Sequence, residues 1–149
     1  MDNTPSPSNY FPAADARLQG SAVLETCGED GCQPTGAKVT GIASNSSVTF
    51  SPIYIRHGGK KLVAVDYINY DYAFTTAWDL GSNIRNMTVA VNGGEPKRWA
   101  FPLSGGDWHE ADRMVLEVDG FTGGENEVVF SGFPGSGFAP DLVGFEIFE

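Results

Sequence analysis

Positive charge is scarce in this chain of 149 residues: nine lysines and arginines stand against nineteen aspartates and glutamates, a formal net charge of −10. So acidic a surface excludes nucleic acid, whose phosphates require a basic face, and it disfavours anionic membranes and acidic polysaccharides. A neutral ligand fits best. Long apolar runs are missing as well, and nothing approaches the roughly 20 residues an α-helix needs to span a bilayer. The two histidines, His57 and His109, lie far apart, show no ligand spacing and read as solvent-exposed. Catalytic signatures are lacking too: there is no Gly-x-Ser-x-Gly, no His-Glu-x-x-His and no glycine loop shaped to cradle phosphate before a helix. The many carboxylates make a glycosidase pair easy to imagine, but they cluster in turns, none in a recognisable catalytic setting. A polysaccharide lyase would need a basic or metal-assisted cleft. The chain reads as no enzyme, with no cofactor and no metal.

Only two cysteines occur, in Cys27-Gly28-Glu29-Asp30-Gly31-Cys32. A metal would need two further soft ligands, and a redox pair would normally be closer spaced and beside a helix. A disulfide between Cys27 and Cys32 closing a glycine-bearing turn is the simpler reading. It implies an oxidising compartment, hence a secreted, extracellular protein. The sequons Asn45-Ser46-Ser47 and Asn86-Met87-Thr88 are compatible with that. The opening residues 1–10 are polar and proline-bearing, without the basic and apolar halves of a signal peptide. They read as a flexible arm or linker ahead of one domain over 11–149.

What the chain does have is glycine and proline in quantity, nineteen and nine, scattered without a period between short apolar runs. No stretch carries a convincing helical period with caps. Strand-like runs recur instead at 17–26, 37–42, 47–50, 61–69, 86–91, 97–101, 114–118, 127–130 and 142–148. In Asn86-Met87-Thr88-Val89-Ala90-Val91 the alternation puts Met87, Val89 and Val91 on the inner face. Asn92-Gly93-Gly94 then signals a hairpin turn. About nine short strands joined by Gly/Pro/Asn loops predict an all-β fold, an antiparallel β-sandwich.

Three loops carry aromatics beside polar groups. The longest holds Asn69, Tyr70, Asp71, Tyr72 and Trp78; a second is Gly105-Gly106-Asp107-Trp108; the third is Phe138-Ala139-Pro140-Asp141 before the last strand. Long loops in a compact domain are usually functional or disordered. A sugar stacks its C–H face on an aromatic ring while its hydroxyls need side-chain partners, so Tyr72, Trp78 and Trp108 are candidate platforms. They equally suit rings that cap the ends of the core. Asp141 is the sharpest polar candidate, with a turn-capping aspartate as the plain alternative. Tyr67 and Trp99, inside strands, read as packing.

In their order, Ala16-Arg17-Leu18-Gln19-Gly20-Ser21-Ala22, Val89 through Gly94, Phe101-Pro102 with Gly105 to Trp108, Asn126 to Phe130, and Ala139-Pro140-Asp141-Leu142 resemble the family-35 carbohydrate-binding modules. The likeness is nearest to the fungal branch appended to galactose-active glycoside hydrolases, and it covers the chain after Phe11. It implies a sandwich of the jelly-roll type with the ligand in loops at one end, and it points to Trp108 and Asp141 as binding residues. Many members open with Tyr-Glu-Ala-Glu and carry a late aspartate that together hold a structural calcium. Here the opening reads Phe11-Pro12-Ala13-Ala14 and the late position is Val143. Those side chains supply no oxygen ligands, so the calcium is expected to be absent, with the Cys27–Cys32 bridge tying down the same end.

The expectation is a non-catalytic module for a neutral, galactose-configured glycan, held by Asp141, Trp108, Tyr72 or Trp78, with Asn69 or Asp71 adding polar contacts. Its partners would be a galactoside and a tethered glycoside hydrolase. A free-standing fungal lectin and a structural sandwich packed on a catalytic partner are the alternatives.

Overall fold

The computed structural model describes residues 9–71 and 83–149. One antiparallel sheet joins β3 (Val23–Thr26), β4 (Ala37–Thr40), β11 (Asp141–Phe148), β6 (Gly59–Ile68) and β9 (Asp112–Phe121) in that order, with β1 (Tyr10–Pro12) also paired to β11. The other runs β2 (Arg17–Gln19), β5 (Ser47–Ile55), β10 (Gly124–Gly132), β7 (Arg85–Val91), β8 (Lys97–Phe101). Their inner faces meet in a β-sandwich. A single turn of 3-10 helix at Ala13–Asp15 is the one helical element among the described residues.

Among the described residues eleven strands stand where the sequence suggested about nine. The run at 17–26 is split by Gly20, whose φ of 76° turns the chain out of one sheet and into the other. β1 is the second addition: Phe11 pairs with Phe145, and the Tyr10 hydroxyl donates to Asp66 at 3.0 Å.

Period-2 alternation builds the core. Met87, Val89 and Val91 of β7 are buried, as are Val63, Val65 and Tyr67 of β6. At the centre Phe145 packs against Phe50 and Phe130 at centroid separations of 4.8 and 5.2 Å. Each fully buried ring of this kind contributes roughly 2–3 kcal/mol through its apolar area. Asn92 and Gly93 both have positive φ, 53° and 72°, and Gly94 N donates to Val91 O at 3.0 Å, a tight turn that starts the connection from β7 to β8.

Two ends result. At one, β6 and β8 finish and β7, β9 and β11 begin: Asp141 pairs with Ile68, Tyr67 with Asp112, and Arg85 with Phe101. At the other, Gly59 faces Phe121, and the Asn92 amide reaches Gly120 O at 3.2 Å.

Candidate functional site

At the first end, β4 contributes Lys38. Its neighbour Val39 points into the core, so Lys38 takes the outer face, where water is the usual partner. Here it is 3% exposed instead. Leu142 pairs with Val39, which sets Asp141 diagonal to Lys38, within reach of a long side chain. Lys38 Nζ lies 2.8 Å from Asp141 Oδ2, donates to Trp108 O at 2.7 Å and stands 3.6 Å from Glu25 Oε2. The pair is desolvated on both sides. Burial pushes the Asp141 carboxyl above its ordinary value, while Lys38, a hydrogen bond with Thr40 and the charge of Arg85 pull it back.

Arg85 opens β7. Its Nε donates to Asp71 Oδ2 at 3.1 Å and one terminal nitrogen to Ala139 O at 3.1 Å. A guanidinium has five donors, and among the described residues two of Arg85's are engaged, on a group that also lies 4.9 Å from the Trp108 ring centroid. Lys38 Nζ is 5.5 Å from the same centroid, and both distances suit cation–π attraction. Tyr70 and Trp108 stand nearly perpendicular, their ring centroids 6.3 Å apart.

The Trp108 loop is braced from behind. Cys27 and Cys32 form a disulfide, and Cys32 is buried in a small apolar cluster with Ile68 and Val143, against which Trp108 and Ala111 pack. Cys32 N donates to His109 O at 2.7 Å. Inside the loop, His109 N donates to Asp107 Oδ1 at 2.7 Å, a side-chain-stabilised turn. Trp108 is therefore half-buried, its ring shared between the cluster and two cations.

Lys38, Arg85, Trp108, Asp141, Glu25 and Phe138 wall one open cavity of about 390 Å³. Trp108 and Asp141 are thus brought together. Lys38 of the neighbouring strand holds Asp141. Asp71 stands behind Arg85 as its counter-ion. Asn69 does not line the cavity. It is fully buried, its amide donating to Asn83 O and Phe101 O while its oxygen accepts from Asp71 N, so it clamps the base of the loop. Tyr72 and Trp78 lie outside the described residues. Lys38 and Arg85 went unnoticed in the sequence. Only strand pairing marks a lysine in an alternating strand as buried, though an arginine opening a strand beside an aromatic loop was a usable cue.

At the positions where the resemblance would place calcium ligands, the side chains are apolar and packed. Phe11 stacks on Phe145 at 5.1 Å, Val143 sits in the apolar cluster, and the described residues include no group of three or more His, Cys, Asp or Glu placed to hold a metal.

The sandwich with a ring-bearing cavity at one end places the chain in a class, the small β-sandwich modules. No family model matches it. Among solved structures it superposes on a family 35 carbohydrate binding module from Clostridium thermocellum with a TM-score of 0.78 and 25% identity, covering 94% of this chain and 98% of that one. The exo-beta-1,3-galactanase of Phanerochaete chrysosporium, solved with galactose, superposes with a TM-score of 0.77 and 23% identity, over 97% of this chain and 30% of that one. By sequence the chain is 40% identical over 153 residues to a "Probable alpha-galactosidase D" of Aspergillus terreus, covering 94% of this chain and 23% of that protein. With the "Alpha-galactosidase D" of Emericella nidulans it shares 34% over 158 residues, 97% of this chain and 24% of the relative. The chain spans about a quarter of the length of these curated relatives. In fold it is a domain similar to the family-35 carbohydrate-binding modules.

Proposed function

We propose that this domain binds a neutral, galactose-configured glycan in the Trp108 cavity and carries out no chemistry of its own. The observation that carries the reading is the convergence on one cavity of an aromatic ring, a guanidinium and a buried carboxylate. Two cations, Lys38 and Arg85, face two carboxylates, Asp141 and Glu25, so the wall sums to no net charge. That balance suits polyhydroxyl ligands better than ions. A pyranose would lay its C–H face on Trp108, donate hydroxyl hydrogens to Asp141 and accept from Arg85. Lys38 positions Asp141, while Asn69 and Asp71 position the loop and Arg85.

The choice of galactose rests on the relatives: galactose is the sugar in the solved galactanase, and α-galactosidase is the activity in the sequence relatives' names. We place the module outside the cell, tethered to a glycoside hydrolase, a location the disulfide favours. Weak single-site binding would then gain through local concentration on the substrate.

Calorimetry with galactose, β-1,3-galactan oligosaccharides and xylan oligosaccharides tests it. Selective galactoside binding is expected, lost at least tenfold in Trp108→Ala. Asp141→Asn, which keeps the size of the side chain, should also lose it. Binding untouched by both variants would put the site elsewhere, and silence toward all neutral glycans would favour a purely structural domain.

A further inference from the structure

A second cavity lies at the far end of the sandwich, where the free edges of the two sheets approach each other. β8 ends one sheet and β9 the other. Between them opens a groove of about 400 Å³, within the range of small-molecule sites, about 300–1,000 Å³. Its floor is Val89, Val91 and Val118, each under 8% exposed. Trp99 of β8 stands half-buried on the wall, with Lys97 Nζ 5.0 Å from its ring centroid. Glu95 and Asp119, both exposed, also line it.

We infer that this groove is a second carbohydrate site, taking a neutral pyranoside stacked on Trp99. The class of ligand rests on the function proposed above; the location does not.

The chemistry of the lining selects that occupant. An apolar floor with an aromatic wall matches the C–H face of a pyranose. One ammonium and two carboxylates around it provide donors and acceptors together, which hydroxyl groups need and an apolar peptide does not. Two carboxylates against one lysine repel uronic acids and phosphates, and the lysine on the ring repels a cation. Lys97 is exposed, so a ligand can displace it from the ring face while keeping it as a donor.

The groove is also built before any ligand arrives. Asn92, in the β7–β8 turn, donates to Gly120 O on β9 and to Asn126 Oδ1 at 2.7 Å, tying the two sheets together beside the groove. Asn126 is buried and accepts in addition from Thr122 N at 2.8 Å. Gly120 has a φ of 101°, and a Cβ there would sit 3.5 Å from Val91. The backbone at the rim is thus fixed in a conformation that favours glycine. A preformed groove spares a weak ligand the cost of ordering it.

The test is an amide and indole NMR titration of the chain with β-1,3-galactotriose, xylotriose and cellotriose, reading each tryptophan separately. The expected result is a saturable shift of the Trp99 indole with Gly94 and Gly120, at least tenfold weaker in Trp99→Ala, for at least one probe. Because Trp99→Ala could disturb packing, the paired variant Lys97→Ala with Asp119→Asn, which touches only the rim, should weaken the same shifts and leave those at Trp108 unchanged. Shifts at Trp99 alone would support this site while removing the one at Trp108. Shifts confined to Trp108 and Arg85 would overturn it and leave the first site standing. Concentration-dependent shifts around Trp99 without sugar would also overturn it, since a second copy would then be the occupant.

Discussion

The two ends of the sandwich each set a tryptophan beside a lysine and carboxylates, and they treat those groups in opposite ways. At the Trp108 end, Lys38 and Asp141 have side-chain exposures of 4% and 3% and are locked together. At the Trp99 end, Lys97, Glu95 and Asp119 all stand in water. Burial makes the first set rigid and costly to disturb; exposure makes the second adaptable and energetically cheap. The ends therefore separate two uses of charge: fixing a geometry, and offering partners to whatever arrives.

The largest test of that contrast is to remove one charge at each end. Asp141→Ala leaves Lys38 buried without its counter-ion, a change that typically costs about 3–5 kcal/mol. The lower part of that range is expected, since Trp108 O and Glu25 remain as partners. Chemical denaturation should show the loss, and a variant as stable as the parent would mean water reaches Lys38. This shapes how the site is probed: loss of binding in Asp141→Ala would mix misfolding with function, which is why Asp141→Asn is the better variant. Asp119→Ala at the other end should change stability by less than about 0.5 kcal/mol, as for ordinary surface positions.

Reducing the Cys27–Cys32 bridge comes next. Closing so short a loop is worth about 2 kcal/mol in the chain-entropy picture, so melting should fall by several degrees. An excess of chelator should change nothing. A melting point that responds to chelator and ignores reduction would show that a metal, and not the bridge, holds this end. The bridge also braces Trp108 through Cys32, so reduction should weaken the Trp108 site and spare the Trp99 groove.

Much of this was legible in the sequence, for a reason that also marks where legibility stops. Alternation at Met87, Val89 and Val91 and the turn at Asn92-Gly93 are local, and both read correctly. The break at Gly20 was hidden because the residues on either side have equal strand character and only the sheets they join differ. β1 was hidden because three residues carrying a proline mean little until β11 offers them a partner. The same division holds at the site. Loop aromatics and a carboxylate before a closing strand singled out Trp108 and Asp141, which the fold brings to one cavity. Lys38 needed the pairing of β4 with β11, and Asn69, polar and next to an aromatic loop, turned out to be a buried clamp.

Acidification gives a finer separation. Burial holds the Asp141 carboxyl above its ordinary value, so the native chain takes up that proton at a higher pH than the unfolded chain does. In that window the stability linked to Asp141 grows as pH falls and is lost as pH rises. Binding should move the other way. A protonated Asp141 no longer pairs its charge with Lys38 and accepts fewer sugar hydroxyls. Galactoside affinity should therefore decline on acidification above the ordinary carboxylate range, with no matching fall in melting temperature from this group. Joint decline of both would assign the loss to unfolding.

A smaller effect than the loss of a buried charge is expected for Arg85→Lys, which separates charge from shape at the Trp108 end. Lysine keeps the positive charge but loses the planar fork, and with it the simultaneous bonds to Asp71 and Ala139 O and the stacking on Trp108. If the site uses Arg85 as a directional donor, affinity should drop about tenfold, near 1.4 kcal/mol, with a stability change of about 1 kcal/mol or less. If charge alone matters, affinity should stay within about twofold. Lys97→Arg at the other end, where the cation stands in water beside Trp99, should change little in either quantity. A drop at Lys97 as large as that at Arg85 would erase the distinction between a fixed end and an adaptable one.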